Sequence, residues 1–218
     1  MKKRKRNQIK RDKWRYIIGV DEAGRGPLAG PVVAVAITKL KTQDSKLKTT
    51  TQNLKLFKNL KLKDSKKLSP QKREEIFEML KNHPQIVWER GLVSAKIIDK
   101  INIWSATKLA MKRAIKNLEK KLKKHLPKNK TLIIIDGNLK IESGFSEVPV
   151  IKADQKIPEC ILASIFAKVI RDRLMVKYDK IYPEYNFKKH KGYPTKEHKK
   201  LLKKYNPCLL HRKSFKIK

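Results

Sequence analysis

Short apolar runs bounded by charged or turn residues constrain this chain more than any other feature. Tyr16–Val20, Pro31–Ile37, Leu132–Ile135 and Val148–Ile151 are too short for buried helices and suit strands inside a sheet. Gln85–Val93 reads as a further strand. Helical signals fall between these runs. Ser69-Pro70 sets a capping hydroxyl before a proline at the first helical position, which predicts a helix to about Leu80. Apolar residues recur at helical spacing over Ile103–Leu122, with lysines on the outer face. Small and apolar residues do so over Ile157–Met175, and a basic helix is expected over Thr195–Tyr205. Strands interleaved with helices predict an α/β layered domain. The expected layout is a basic flexible arm over 1–13, the main domain over 14–187 and a small helical C-terminal extension over 188–218. Lys39–Leu60, rich in Lys, Thr, Gln and Asn, reads as a flexible loop.

A chain of 218 residues suits one large domain, and a hydrophobic share of 39% is enough to build its core. The charge balance points to partners. Lys and Arg total 56 against 20 acidic residues, a net +36 with a pI near 10.3. Such a field attracts polyanions and releases their counterions, so nucleic acid comes first and an anionic membrane surface second. A compositional bias toward lysine would produce the same excess. Cys160 and Cys208 form no C-x-x-C pair and have no histidine at zinc-ligand spacing, so both are expected to be reduced cysteines of a cytoplasmic protein. The apolar run after the basic N-terminus is too short for a signal-peptide core. Pro27–Ile37, the longest mostly apolar stretch, falls below the ~20 residues of a membrane helix. No membrane partner is expected.

In a chain with so few acids, their positions carry the information. Asp21 and Glu22 follow one apolar strand, Asp136 follows another, and Asp154 comes just after a third. Functional groups of layered α/β folds gather where strands leave the core, so neighbouring strand ends would bring these carboxylates together. Like charges that close repel and lose hydration unless a cation joins them. Mg²⁺ favours hard carboxylate oxygens and keeps open positions for a phosphate. Two such ions ~4 Å apart serve phosphodiester cleavage. Each acid also has a plainer explanation: turn chemistry for Asp136 before Gly137, a helix cap or surface charge for Asp154, a solvated loop for Asp21-Glu22. Those explanations must hold independently at three places. One difficulty is geometric. Adjacent residues of a strand face opposite ways, so Asp21 and Glu22 share a site only if the backbone turns there or Glu22 contributes its carbonyl. Gly24 and Gly26 would permit a turn.

The run from Tyr16 to Pro31, Tyr-Ile-Ile-Gly-Val-Asp-Glu-Ala-Gly-Arg-Gly-Pro-Leu-Ala-Gly-Pro, resembles the opening signature of ribonuclease HII. Asp64-Ser-Lys-Lys-Leu-Ser69, Asn102-Ile-Trp-Ser-Ala-Thr107, Ile135-Asp-Gly137, Ala163 to Asp172, His190 to His198 and His211-Arg-Lys-Ser-Phe215 follow in the family's order. The resemblance spans Tyr16 to Phe215. It implies a ribonuclease H-like layered domain, with a mixed central sheet flanked by helices, and four catalytic, metal-holding acids at Asp21, Glu22, Asp136 and Asp154. It implies Mg²⁺ or Mn²⁺, two ions with substrate. The implied activity cuts the RNA strand of RNA/DNA hybrids and the 5′ side of single ribonucleotides in duplex DNA, leaving 5′-phosphate and 3′-hydroxyl ends, in DNA replication and repair. Gly24, Arg25 and Gly26 would read the 2′-hydroxyl, the group that distinguishes RNA from DNA locally. Tyr193 would sense the junction, and Ser65, Lys66 and Lys67 would contact phosphates. The chain departs from the family at Ala153 and Leu162, where glycine and a small residue are usual. A positive φ at Ala153 would be strained.

Two other readings have distinct signatures. A type 3 ribonuclease H shares the acids but carries an additional N-terminal substrate-binding domain, for which the short arm leaves no room. A non-catalytic RNA-binding protein would fit the charge but needs no acids at three strand ends and no divalent metal. No obligate protein partner is indicated, and a monomer is expected.

Overall fold

The computed structural model describes residues 10–40, 68–122 and 126–215. Strands β1 (Tyr16–Ala23), β2 (Val32–Lys39), β3 (Ile86–Val93), β4 (Thr131–Asp136) and β5 (Ser146–Val150) form a five-stranded sheet in the order β3-β2-β1-β4-β5. The sheet is mixed: β1–β2 and β2–β3 pair antiparallel, β1–β4 and β4–β5 parallel. Helices α1 (Pro70–Leu80), α2 (Ala95–Lys121), α3 (Pro158–Ile181), α4 (Phe187–His190) and α5 (Lys196–Tyr205) are joined to the strands by loops and short 3-10 turns.

Both faces of the sheet are covered, which is why its inner strands are written as unbroken apolar runs rather than alternating ones. Ile18, Val20, Ile133 and Ile135 pack beneath Ala106, Ala110, Met111 and Ala114 of α2. Val33, Val35 and Ile37 face Phe77 and Leu80 of α1 and Ile165 and Phe166 of α3. Gly19 lets α3 close onto β1, since a Cβ there would overlap the backbone of Glu159 and Cys160. The layered α/β domain with a mixed sheet flanked by helices is therefore what this sequence builds.

Several boundaries differ from the sequence reading, each for a local reason. β1 does not stop at Val20. Asp21 pairs with Val35 and Glu22 with Ala34, so the ladder to β2 carries the strand through both acids to Ala23, and the expected loop begins only afterwards. The helix expected from Ile103 starts at Ala95 and breaks at Asn102, where φ is 62°. α3 continues past Met175 to Ile181. Ser69 caps α1 as expected, its hydroxyl accepting from Lys72 N–H at 3.1 Å. The basic arm is ordered at its inner end, where Arg11–Lys13 form a 3-10 turn and Arg11 pairs with Glu159. Lys39 belongs to β2 rather than to a loop. Beyond Leu40, the expected loop to Leu60 lies outside the described residues, as do Ser65, Lys66 and Lys67.

The C-terminal segment folds back on the loop after β1. Leu28 and Ala29 share a small core with Met175, Tyr185, Phe187 and Leu202. Leu28 N–H donates to Gly192 O at 2.8 Å, Gly30 N–H to Leu210 O at 2.8 Å and Arg212 N–H to Leu28 O at 2.8 Å.

Candidate active site

The register of β1 and β4 decides where two of the acids go. Val20 is level with Ile135, so Asp21 and Asp136, the next residue on each of two parallel strands, leave the same face. That face is the one shared by Ile17, Leu132, Ile134, Ala153 and Cys160. Asp154 arrives from the 3-10 turn Ala153–Gln155 after β5 and is fully buried. Asp136 Oδ1 accepts the amide N–H of Ala153 at 2.6 Å and of Asp154 at 3.3 Å, tying the second strand end to the third. Neither a surface charge nor a helix cap describes Asp154 in this setting.

Glu22 takes the other side. The strand is regular through it, so no backbone turn brings it round, and it faces α2. Its Oε1 accepts from Arg25 Nη1 at 3.3 Å, and the Arg25 guanidinium lies over the Trp104 ring at 4.1 Å from its centre. Glu22 N–H donates to Asp21 Oδ1 at 2.7 Å. Of the predicted acids, then, Asp21, Asp136 and Asp154 lie together on the α3 side, and Glu22 sits at their margin.

The electrostatics follow from this crowding. Burial pushes the Asp21 carboxyl well above its ordinary range, and Glu22, Asp136 and Asp154 push the same way. Burial also raises Glu22, with Arg25 opposing it. Among the described residues no three His, Cys, Asp or Glu side chains stand as a ready-made ion-binding set. Glu22 is turned to Arg25, while one oxygen each of Asp21 and Asp136 accepts from backbone N–H groups. The donor chemistry nonetheless fits a hard divalent cation. All the groups are carboxylate oxygens, and a cation would relieve the burial and repulsion that push the Asp21 carboxyl up.

The Ala153 departure costs little. The positive φ falls on Lys152, at 59°, while Ala153 is fully buried and does not adopt that conformation.

The Gly24-Arg25-Gly26 loop is fixed from behind by two buried arginines that the sequence reading did not single out. Arg212 donates to Gly24 O at 2.6 Å, to Arg25 O at 3.0 Å and to Gly30 O at 2.8 Å. Arg171, fully buried, donates to Pro31 O, Ala29 O and Lys191 O at 3.0–3.1 Å. Gly24 has φ +100°, and a Cβ there would overlap the Arg171 side chain. At Gly26 a Cβ would meet nothing within 4 Å. Tyr193 is joined to the same assembly. Its N–H donates to His190 O at 2.9 Å, its carbonyl accepts from His198 Nδ1 at 2.9 Å, and Lys168 and Arg171 lie over its ring at 5.3 and 5.7 Å. Tyr193 is 38% exposed. His211 Nε2 lies 3.0 Å from His198 Nε2, completing a buried histidine chain behind Tyr193.

Comparison with known proteins bears on this arrangement. The family model described as Ribonuclease HII matches residues 18–218. A ribonuclease HII of Caldicellulosiruptor bescii is 44% identical over 202 residues, covering 93% of this chain and 87% of the relative. A ribonuclease HII of Clostridioides difficile is 44% identical over 200 residues, covering 92% of this chain and 69% of the relative. Among solved structures, the ribonuclease H2 of Pyrococcus horikoshii superposes with a TM-score of 0.72 at 26% identity, covering 93% of this chain and 94% of that one.

Proposed function

The chain belongs to the ribonuclease HII family of endoribonucleases, and from that premise we propose that it hydrolyses the RNA strand of RNA/DNA hybrids. We extend the proposal to cutting on the 5′ side of single ribonucleotides in duplex DNA, leaving 5′-phosphate and 3′-hydroxyl ends, in the cytoplasm and as a monomer.

One observation carries the reading beyond the family level: three carboxylates from three strand ends gathered in one corner, two of them buried, in a chain with net +36. Nothing in the fold's stability calls for such a corner, since buried like charges destabilise it. Asp21, Glu22, Asp136 and Asp154 would hold Mg²⁺ or Mn²⁺, two ions with substrate. When bound, such ions supply an activated water and stabilise the leaving oxygen. The protein's share is orientation. The Ala153 and Asp154 amides fix Asp136 in place, and Glu22 would join the set by leaving Arg25. The loop of Gly24, Arg25 and Gly26 meets the 2′-hydroxyl. Open space at Gly26 supports this role, because no described residue comes within 4 Å of a Cβ there. Tyr193 packs on the neighbouring sugar that lacks a hydroxyl. Ser65 and Lys66, outside the described residues, are assigned to phosphate contact.

The test is a duplex bearing one ribonucleotide, incubated with Mg²⁺ and then with EDTA. Wild type cuts it on the 5′ side with Mg²⁺ and not in EDTA. Asp136→Asn keeps an oxygen for the two amides, so it folds and binds. Its cleavage falls by more than the roughly 100-fold that loss of an outer-sphere partner costs. Undiminished cleavage by this variant removes Asp136 from the mechanism, and cleavage in EDTA removes the metal.

A further inference from the structure

Among the described exposed aromatic side chains, Trp104 holds a cation closest to its ring. The indole is half exposed, 50% accessible, yet its face is occupied by the Arg25 guanidinium at 4.1 Å. Its position is specified by the backbone. Asn102 interrupts α2 with φ 62° and ψ 166°, and its Oδ1 accepts the N–H groups of Trp104 and Ser105 at 3.0 Å each. A residue held in so sparsely populated a conformation marks a place where local order is being imposed. Arg25 is thus held at three points. Arg212 fixes its carbonyl, Glu22 takes one guanidinium N–H at 3.3 Å, and Trp104 supports the flat face.

Of these three, Glu22 is the one that a bound cation would draw away. A carboxylate recruited to a cation has less charge to offer a guanidinium. A long flexible side chain released from its ion pair would then sample solvent. A guanidinium lying over an aromatic ring keeps its in-plane N–H groups available while its position is restricted. We propose that Trp104 is a positioning residue for Arg25: the indole holds the guanidinium at the edge of the acid cluster once Glu22 has let it go. The preference for a ribonucleotide over a deoxyribonucleotide then depends on the ring. The inference rests on the proposed function, with the loop of Gly24, Arg25 and Gly26 meeting the 2′-hydroxyl. It adds a residue on a different element that acts through that loop.

The test is binding rather than turnover. In an Asp136→Asn background with Mg²⁺, affinities are measured for two duplexes that differ by a single 2′-hydroxyl. The parent favours the ribonucleotide duplex. Trp104→Ala lowers that preference by about two- to fivefold, the range expected of a partly exposed cation–π contact. Affinity for the all-DNA duplex stays the same, and Trp104→Phe restores most of the preference. Arg25→Ala and the Arg25→Ala/Trp104→Ala double variant have equal preference, because the ring acts only through the guanidinium. The inference is overturned by an unchanged preference in Trp104→Ala. It is equally overturned by additive losses in the double variant, or by equal loss of both duplexes, either of which makes Trp104 a direct stacking contact. A parent that does not distinguish the two duplexes at all overturns the underlying functional reading and this inference with it. That result is recognisable because no variant is needed to see it.

Discussion

Arg212 has a low-dielectric setting and four hydrogen bonds to three carbonyl oxygens, those of Gly24, Arg25 and Gly30. Replacing it with methionine keeps the apolar stem and leaves those acceptors unpaired. Unsatisfied buried groups cost roughly 1–3 kcal/mol each before relaxation, so Arg212→Met is expected to destabilise by about 2–4 kcal/mol in urea unfolding. Cleavage at a lone ribonucleotide should fall further than cleavage of a long hybrid, because it is the loop that loses its support. A variant as stable as wild type would show that the loop does not depend on this brace. Arg171 and Arg212 were hard to read from the sequence for a physical reason. Their partners are backbone carbonyls, which leave no mark in residue type, so neither periodicity nor charge pairing reveals them. The acids were legible because carboxylates after apolar runs contradict the pattern around them.

At the scale of elements, the apolar runs located every strand to within a few residues, since a strand buried on both faces cannot hide its composition. Two of the misplaced boundaries, the end of β1 and the start of α2, involve competition between local and tertiary signals. Asp21 and Glu22 look like a strand end, but β2 supplies partners for their backbone, and pairing overrides the charge. The first turns of α2 were invisible because Asn102 breaks the helical periodicity that would have joined them to the rest. That break supports a prediction of its own. Asn102→Ala loses the cap and forces a Cβ residue without a hydrogen-bonding side chain into positive φ, costing about 1.5–3 kcal/mol. Asn102→Gly loses only the cap and costs less than about 1 kcal/mol. Equal losses in thermal or urea unfolding would show that the backbone conformation there is not under strain.

For the whole molecule, two properties are expected to vary with conditions. The histidine chain behind Tyr193 makes the fold sensitive to acid. Burial holds His198 and His211 down at about 4. Their neutral forms are favoured in the fold, so this stability is fully present above the unfolded value of about 6.5 and is lost as pH falls toward about 4. Each histidine alone accounts for at most about 3 kcal/mol, and the two share a hydrogen bond, so their effects overlap. The urea midpoint should drop between pH 6.5 and 5, and a flat profile would mean that the imidazoles are charged in the fold. The net +36 predicts a steep salt dependence. A protein neutralising roughly six to ten phosphates loses about 10³- to 10⁵-fold in affinity between about 50 and 200 mM salt. A loss below about tenfold would assign the lysine excess to composition rather than binding.

Acids from separate strand ends are expected to share divalent metal, which a crystal of the chain soaked in Mn²⁺ and measured for anomalous scattering would reveal. The expected result is a peak within coordination distance of both Asp21 and Asp136, with Asp154 or Glu22 beside it. Full soaking with no peak there, or a peak only on another surface, would contradict it.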